Sequence, residues 1–75
     1  MAIRSLLLHI GAGHREDVAQ ALAADPHCDV YPATNRDVIV LVTDHDDAAD
    51  EERFDRRLAA MPEVLLVAVV AGFAE

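Results

Sequence analysis

The chain has 75 residues, a net charge of −8 and a hydrophobic fraction of 53%. This length allows one domain, spanning residues 1–75, and leaves no room for a separate catalytic domain. The hydrophobic fraction is too high for a disordered chain, the apolar runs are too short to cross a bilayer, and the negative charge disfavours binding to nucleic-acid phosphates. The lone Cys28 cannot form an internal disulfide, and residues 1–10 do not match an export signal, so we expect a cytoplasmic protein.

The first half of the chain predicts a strand, a helix and two further strands. Residues 3–10 are a dense aliphatic run and predict the first strand. Residues 15–24 place apolar side chains at helical spacing before an Asp-Pro pair that ends the first helix. Residues 28–33 predict a short second strand, placed at a sheet edge by Pro32. Residues 37–43, with the run VIVLV at their centre, predict a third and central strand.

The second half predicts one more helix and one more strand. Residues 44–47 are rich in side chains that cap helices. Apolar residues then recur three to five positions apart, as in an amphipathic helix that ends before Pro62. Residues 64–71 predict the fourth strand, and residues 72–75 a short tail.

An internal repeat supports this order. The motif L-A-A-x-P occurs at residues 22–26 and again at 58–62, an offset of 36, and Ile3 and Ile39 fall in the corresponding strands at the same offset. Two βαβ halves are typical of the ferredoxin-like split βαβ fold. We therefore predict an α+β domain of order βαββαβ, with two helices on one face of a four-stranded antiparallel sheet and strands one and three at its centre.

One face of this sheet should be left without helices. Strand residues alternate between faces, so Leu6 and Leu8 should pack under the helices together with Val38, Val40 and Val42. The helix-free face would then carry aliphatic side chains, which marks an interaction site, because an open face is usually polar. Its predicted members are Ser5, Leu7, His9, Ile39, Leu41, Leu65, Val67 and Val69. A peptide or protein ligand, or a second copy of the chain, could cover this face.

No residue pattern predicts catalysis, a metal or a cofactor. The four histidines and Cys28 do not have metal-ligand spacing, and no nucleophile has a base nearby in the sequence. The acidic stretch that begins the second helix is explained by helix capping and solvation, or by docking of a basic segment. The residues that would dock it are Asp44, Asp46, Asp47 and Glu51.

Three segments share a pattern with a known family. They are IRSLLLHI at residues 3–10, LAADP at 22–26 and LAAMPEVL at 58–65. Together they resemble the NapD family of small cytoplasmic chaperones for periplasmic nitrate reductase. The resemblance implies binding of the twin-arginine signal peptide of a molybdenum-containing catalytic subunit, and delay of its export until the cofactor is inserted. It also implies that Ser5, Leu7, His9, Ile39 and Leu41 form the peptide-binding face.

Two other classes of function share this order of elements. One is an amino-acid-sensing domain similar to the effector domains of Lrp-type regulators or to ACT domains, with a small ligand near residues 11–14 or at a subunit interface. The other is an assembly domain whose open face seals a homodimer. A sensor should respond to an amino acid, a chaperone should bind a peptide, and an assembly domain should be a stable dimer indifferent to both.

Overall fold

The computed structural model describes residues 2–74, which form a four-stranded antiparallel sheet with two helices. The strands are β1 (Ala2–Ile10), β2 (Cys28–Pro32), β3 (Val38–His45) and β4 (Val64–Ala74), and the helices are α1 (Arg15–Ala23) and α2 (Ala48–Ala59). Their order across the sheet is β2-β3-β1-β4, which confirms that strands one and three are central. The ferredoxin-like fold is therefore confirmed. Neither helix is long and apolar enough to span a membrane.

A capping side chain in α2, acidic first turns and prolines account for where the two helices begin and end. The Asp47 side chain caps α2 by accepting a hydrogen bond from the backbone N–H of Asp50 at 2.8 Å, as the acidic stretch predicts. Acidic residues occupy the first turn of both helices, where the helix dipole favours them. Each helix is followed by a proline shortly after its end, Pro26 or Pro62.

The core lies between the sheet and the helices. From the helices it receives Val18, Leu22, Phe54 and Leu58, and from the strands Leu6, Leu8, Ile10, Cys28, Ile39 and Leu41. Val18 and Phe54, like Leu22 and Leu58, are 36 residues apart, so the sequence repeat marks equivalent buried positions of the two helices. The repeat does not hold in the strands, because Ile3 is exposed whereas Ile39 is buried.

The predicted faces of β3 are wrong. Leu6 lies opposite Leu41 and Leu8 lies opposite Ile39, and opposed residues of an antiparallel pair point to the same side of the sheet. Ile39 and Leu41 are therefore core residues with 0% exposure, not members of the helix-free face. Val40, which lies opposite Leu7, is on the helix-free side instead.

The fourth strand also differs from its prediction. β4 continues to Ala74, so residues 72–74 belong to the strand and do not form a tail, and Glu75, the last residue of the predicted tail, lies outside the described residues. Its register against β1 shifts twice, with Leu65 and Val70 each left opposite no β1 residue. Each shift changes the phase of the alternation, so β4 does not present one regular set of side chains to each face.

Candidate functional site

The side of the sheet away from the helices is called the open face. No described helix packs on it, because the buried residues of both α1 and α2 join the core on the other side. The strand register assigns side chains to it from all four strands. These are Asp29 and Tyr31 of β2, Val38, Val40, Val42 and Asp44 of β3, Ile3, Ser5, Leu7 and His9 of β1, and Leu66, Ala68 and Ala71 of β4.

Most of the side chains on the open face are apolar. Tyr31 and Leu66 are each 57% exposed, and Val40 between them is 38% exposed. Leu7 is half-buried at the middle of β1, between Val40 on one side and Ala68 on the other. Solvated faces of antiparallel sheets are usually polar, so a contiguous apolar strip of this kind is typical of a surface that binds a partner.

The predicted site residues fall into three groups. Ser5, Leu7 and His9 lie on the open face, as predicted. Ile39 and Leu41 lie in the core, as described above. In β4, Val67 lies opposite Leu8 and Val69 opposite Leu6, so both lie on the helix-covered side and not on the open face as predicted. Leu65 lies at the first register shift of β4 and is 68% exposed. The sequence prediction missed the valines of β3, Tyr31 and Leu66.

The sequence contains a signal that places Tyr31 on the open face, but it contains none for Leu66. In β2, the alternation of buried Cys28 and half-buried Val30 with exposed Asp29 and Tyr31 is visible in the sequence and identifies Tyr31 as outward-facing. Leu66 carries no comparable signal, because every residue of 64–71 is apolar.

The four acidic residues predicted to dock a basic segment have different surroundings. Asp47 caps α2, and Glu51 pairs with Arg4 at 3.6 Å, so both have structural contacts. Asp46 is exposed after the end of β3. Asp44 reaches the open face opposite Ile3, and its Oδ1 is buried without a hydrogen-bond partner among the described residues.

The backbone of Asp44 is fixed by His27. The Asp44 N–H donates to the His27 carbonyl at 2.9 Å, and the His27 Nδ1 lies 2.9 Å from the Asp44 carbonyl oxygen. Because a carbonyl oxygen only accepts, the Nδ1 of His27 carries the proton in this contact. These two contacts fix the position of the Asp44 backbone, at one end of the open face, relative to the turn that precedes β2.

A polar cavity of about 260 Å³ lies on the helix side, near the end of β3. His45 lies at its base, with ring centroids 5.1 Å from Phe54 and 5.4 Å from His27. The arginines that line it are already paired, Arg53 with Asp50 and Arg57 with Asp25. Within residues 2–74, no three His, Cys, Asp or Glu side chains are arranged to hold a metal ion. We interpret this region as a contact between α2 and the end of α1.

The loop at residues 11–14 offers little to a small ligand. Gly13 adopts a φ of 83°, which favours glycine in this turn. The N–H of Gly11 already donates to the Glu63 carbonyl at 2.8 Å, and the N–H of His14 donates to the Gly11 carbonyl at 3.1 Å. Two of the donors that could bind a ligand carboxylate are therefore occupied, which disfavours an amino-acid site here.

Comparisons with known proteins agree with this architecture. The structure resembles the solution structure of the E. coli Tat proofreading chaperone protein NapD, with a TM-score of 0.79 and 20% identity over 97% of this chain and 78% of that one. It also resembles a hypothetical protein, PHS023, from Pyrococcus horikoshii, with a TM-score of 0.81 and 23% identity over 100% of this chain and 92% of that one. At these identities the two structures support the fold alone.

A search of curated proteins found no significant match. The sequence model of the NapD protein family, however, matches residues 1–71, which is nearly the whole chain. This match confirms the resemblance seen in the three sequence segments. The chain therefore belongs to the NapD family.

Proposed function

We propose that this protein is a cytoplasmic assembly chaperone that binds the twin-arginine signal peptide of a periplasmic nitrate reductase catalytic subunit. By holding the peptide, it would delay export of the subunit until the molybdenum cofactor has been inserted. Membership of the NapD family supports this role, and the fold of the chain is compatible with it. The observation that carries the proposal is the apolar open face, which in this chain has no covering element among the described residues.

The open face suits the hydrophobic part of a signal peptide. Tyr31, Val40 and Leu66 project from three different strands, with Leu7 between the last two, so an apolar segment lying across the strands would contact all of them. Full burial of a large, fully exposed apolar side chain contributes roughly 1.5–3 kcal/mol, and these three side chains are 38–57% exposed, so each would contribute about half of that before the costs of association. The face therefore offers enough apolar surface for binding by a short segment.

The charge of the protein suits the basic part of the same peptide. The net charge of −8 attracts a segment with two arginines and speeds its association at low salt. Two carboxylates, Asp29 and Asp44, lie on the open face itself and close to one end of it, next to Val42 and opposite Ile3 respectively. Carboxylates form short, strong hydrogen bonds with arginine. We infer that the arginines lie at this end, with Asp46 nearby.

The experiment is an isothermal titration of the purified protein with a synthetic twin-arginine signal peptide and with the same peptide carrying glutamine at both arginine positions. The proposal predicts micromolar or tighter binding of the first peptide. Binding should weaken on the change to glutamine and on addition of salt. Absence of binding to either peptide would overturn the proposal, and a response to an amino acid would favour a sensor instead.

A pair of variants tests the location of the site. Val40→Glu places a charge on the open face, whereas Val69→Glu places the same charge on the helix-covered side, where Val69 is 62% exposed. An added negative charge attracts a basic peptide, so a loss of affinity in Val40→Glu must come from the lost apolar contact. We expect about a tenfold loss or more for Val40→Glu, which corresponds to about 1.4 kcal/mol. Equal losses in both variants would exclude the open face as the site.

A further inference from the structure

β4 is an edge strand that lacks the features with which edge strands usually avoid pairing. It pairs with β1 on one side and with no other strand of residues 2–74 on the other. Its 11 residues contain no charged side chain and no proline. The opposite edge strand, β2, has only five residues and includes both Asp29 and Pro32. Short length, charge and proline protect an edge from pairing, so β2 is protected and β4 is not.

Several apolar side chains of β4 are exposed on each side of the sheet. Leu66 is exposed on the open face, and Val67 and Val69 are 40% and 62% exposed on the helix side. On the helix side, α2 does not reach over β4 and leaves an apolar groove of about 210 Å³ between Leu58 and Val69. A partner that lies flat on the open face would leave this groove open. A strand added at the edge, whose side chains alternate between faces, covers both sides of β4 at once.

We propose that a second copy of this chain is the partner at this edge, and that the two β4 strands pair antiparallel with each other across a twofold axis. The lack of charged side chains on β4 favours an uncharged strand as its partner over a basic peptide. The molecule has a net charge of −8, so most of the surface of one copy repels a second copy. Two β4 strands can pair without this repulsion between them, because neither contains a charged side chain. A twin-arginine segment finds no carboxylate on β4 to pair with.

Residues 66–69 are the natural centre of this pairing. They face residues 6–9 of β1 in unbroken register between the two shifts, so their backbone is regular strand that can accept a neighbour. The two shifts bend the ends of the strand and thereby limit the regular edge to this centre. An isologous contact of this kind is closed and produces a dimer rather than a fibre.

The geometry of the dimer leaves the open face accessible. The twofold axis that relates two antiparallel neighbours in one sheet is perpendicular to the sheet, so both pairs of helices lie on the same side. The two four-stranded sheets join into one of eight strands, with β2 and its copy at the outer edges. The two open faces become one continuous surface. This inference does not rest on peptide binding, and it differs from a dimer in which the open faces cover each other.

Analytical ultracentrifugation of the full chain, over micromolar to millimolar concentrations and without any peptide, tests the proposal. The wild type should sediment as a dimer in equilibrium with monomer. Val69→Lys should sediment as a monomer, because a lysine at an edge opposes strand pairing. The matched control is Tyr31→Lys, which adds the same charge to an edge residue of similar exposure, 57%, on β2. It should dimerise like the wild type.

Hydrogen exchange of the wild type provides a readout that needs no variant. Amides of residues 66–69 that do not bond to β1 should become protected as the protein concentration rises, while the outer amides of β2 should not. A wild type that is monomeric throughout would overturn the proposal. So would a dimer that Val69→Lys leaves intact, or a folded Tyr31→Lys variant that loses the dimer to the same extent. Circular dichroism of both variants confirms that they are folded.

Discussion

Leu6 of β1 lies directly opposite Leu41 of β3, and both side chains are buried beneath the helices. Leu41→Ala should therefore lower the free energy of unfolding by about 2–5 kcal/mol, because it removes packed methyl groups and leaves a cavity. Its neighbour Val40 faces the other way and is 38% exposed, so Val40→Ala should cost less than about 1 kcal/mol. Urea denaturation of the two variants measures both values, and similar losses would contradict the assignment of faces.

The faces of β3 could not be derived from its sequence because the run VIVLV is apolar at every position. A period of two is visible only where apolar and polar residues alternate, as Ser5 and His9 do with Leu6 and Leu8 in β1. A displacement of one residue moves every side chain of a strand to the other face, so the error affects all of β3. One weak signal was present, since the two larger side chains of the run, Ile39 and Leu41, are the buried ones.

The elements and their topology were easier to derive because several signals agree. Pro26 and Pro62 follow the two helices, Asp47 caps the second, and the repeated L-A-A-x-P motif identifies the two halves. The register shifts at Leu65 and Val70 have no comparable signal, because they result from pairing with β1 rather than from local preference. For this reason the predicted sheet face was right for the residues of β1 and wrong for those of β3, and it was also wrong for Val67 and Val69.

Thr43 offers a simple way to stabilise the fold. Its side chain is fully buried, and its Oγ1 has no hydrogen-bond partner among the described residues. A buried hydroxyl without a partner costs about 1–3 kcal/mol, and valine has nearly the same shape without the polar atom. Thr43→Val should raise the melting temperature by roughly 4–8 °C for each kcal/mol gained in a domain of this size. The exposed Thr34→Val is the control, and a lower melting temperature for Thr43→Val would indicate a hydrogen bond to the hydroxyl.

The contact between Arg4 and Asp55 should stabilise the packing of α2 on the sheet. The Arg4 guanidinium donates to both carboxylate oxygens of Asp55, at 2.8 and 3.3 Å, and its side chain is only 14% exposed. The hydrogen bond with Asp55 raises the pKa of Arg4, so the arginine stays charged. A double-mutant cycle with Arg4→Met and Asp55→Asn should give a coupling of about 1 kcal/mol that decreases with salt.

The pair of Arg56 and Glu52 on the outer surface of α2 provides the comparison for this cycle. Their atoms approach to 2.6 Å, but both side chains are mostly exposed, so water and salt screen them strongly. The same cycle on this pair should give a smaller coupling. A coupling for Arg4 and Asp55 no larger than that of Arg56 and Glu52 would mean that the contact does not contribute to packing.

Cys28 should make stability depend on pH in the alkaline range. Burial of the thiol, with a further contribution from Asp25, raises the pKa of Cys28 from 9.0 to about 11. Between pH 9 and about 11, the native state therefore keeps the thiol proton that the unfolded chain has lost. The contribution of this thiol to the free energy of unfolding is fully present below pH 9 and is lost as the pH rises towards about 11. All basic residues of the chain are arginine, so no lysine titrates in this range. Urea denaturation between these limits should show stability falling more steeply in the wild type than in Cys28→Ala, and parallel profiles would show that the thiol is not the titrating group.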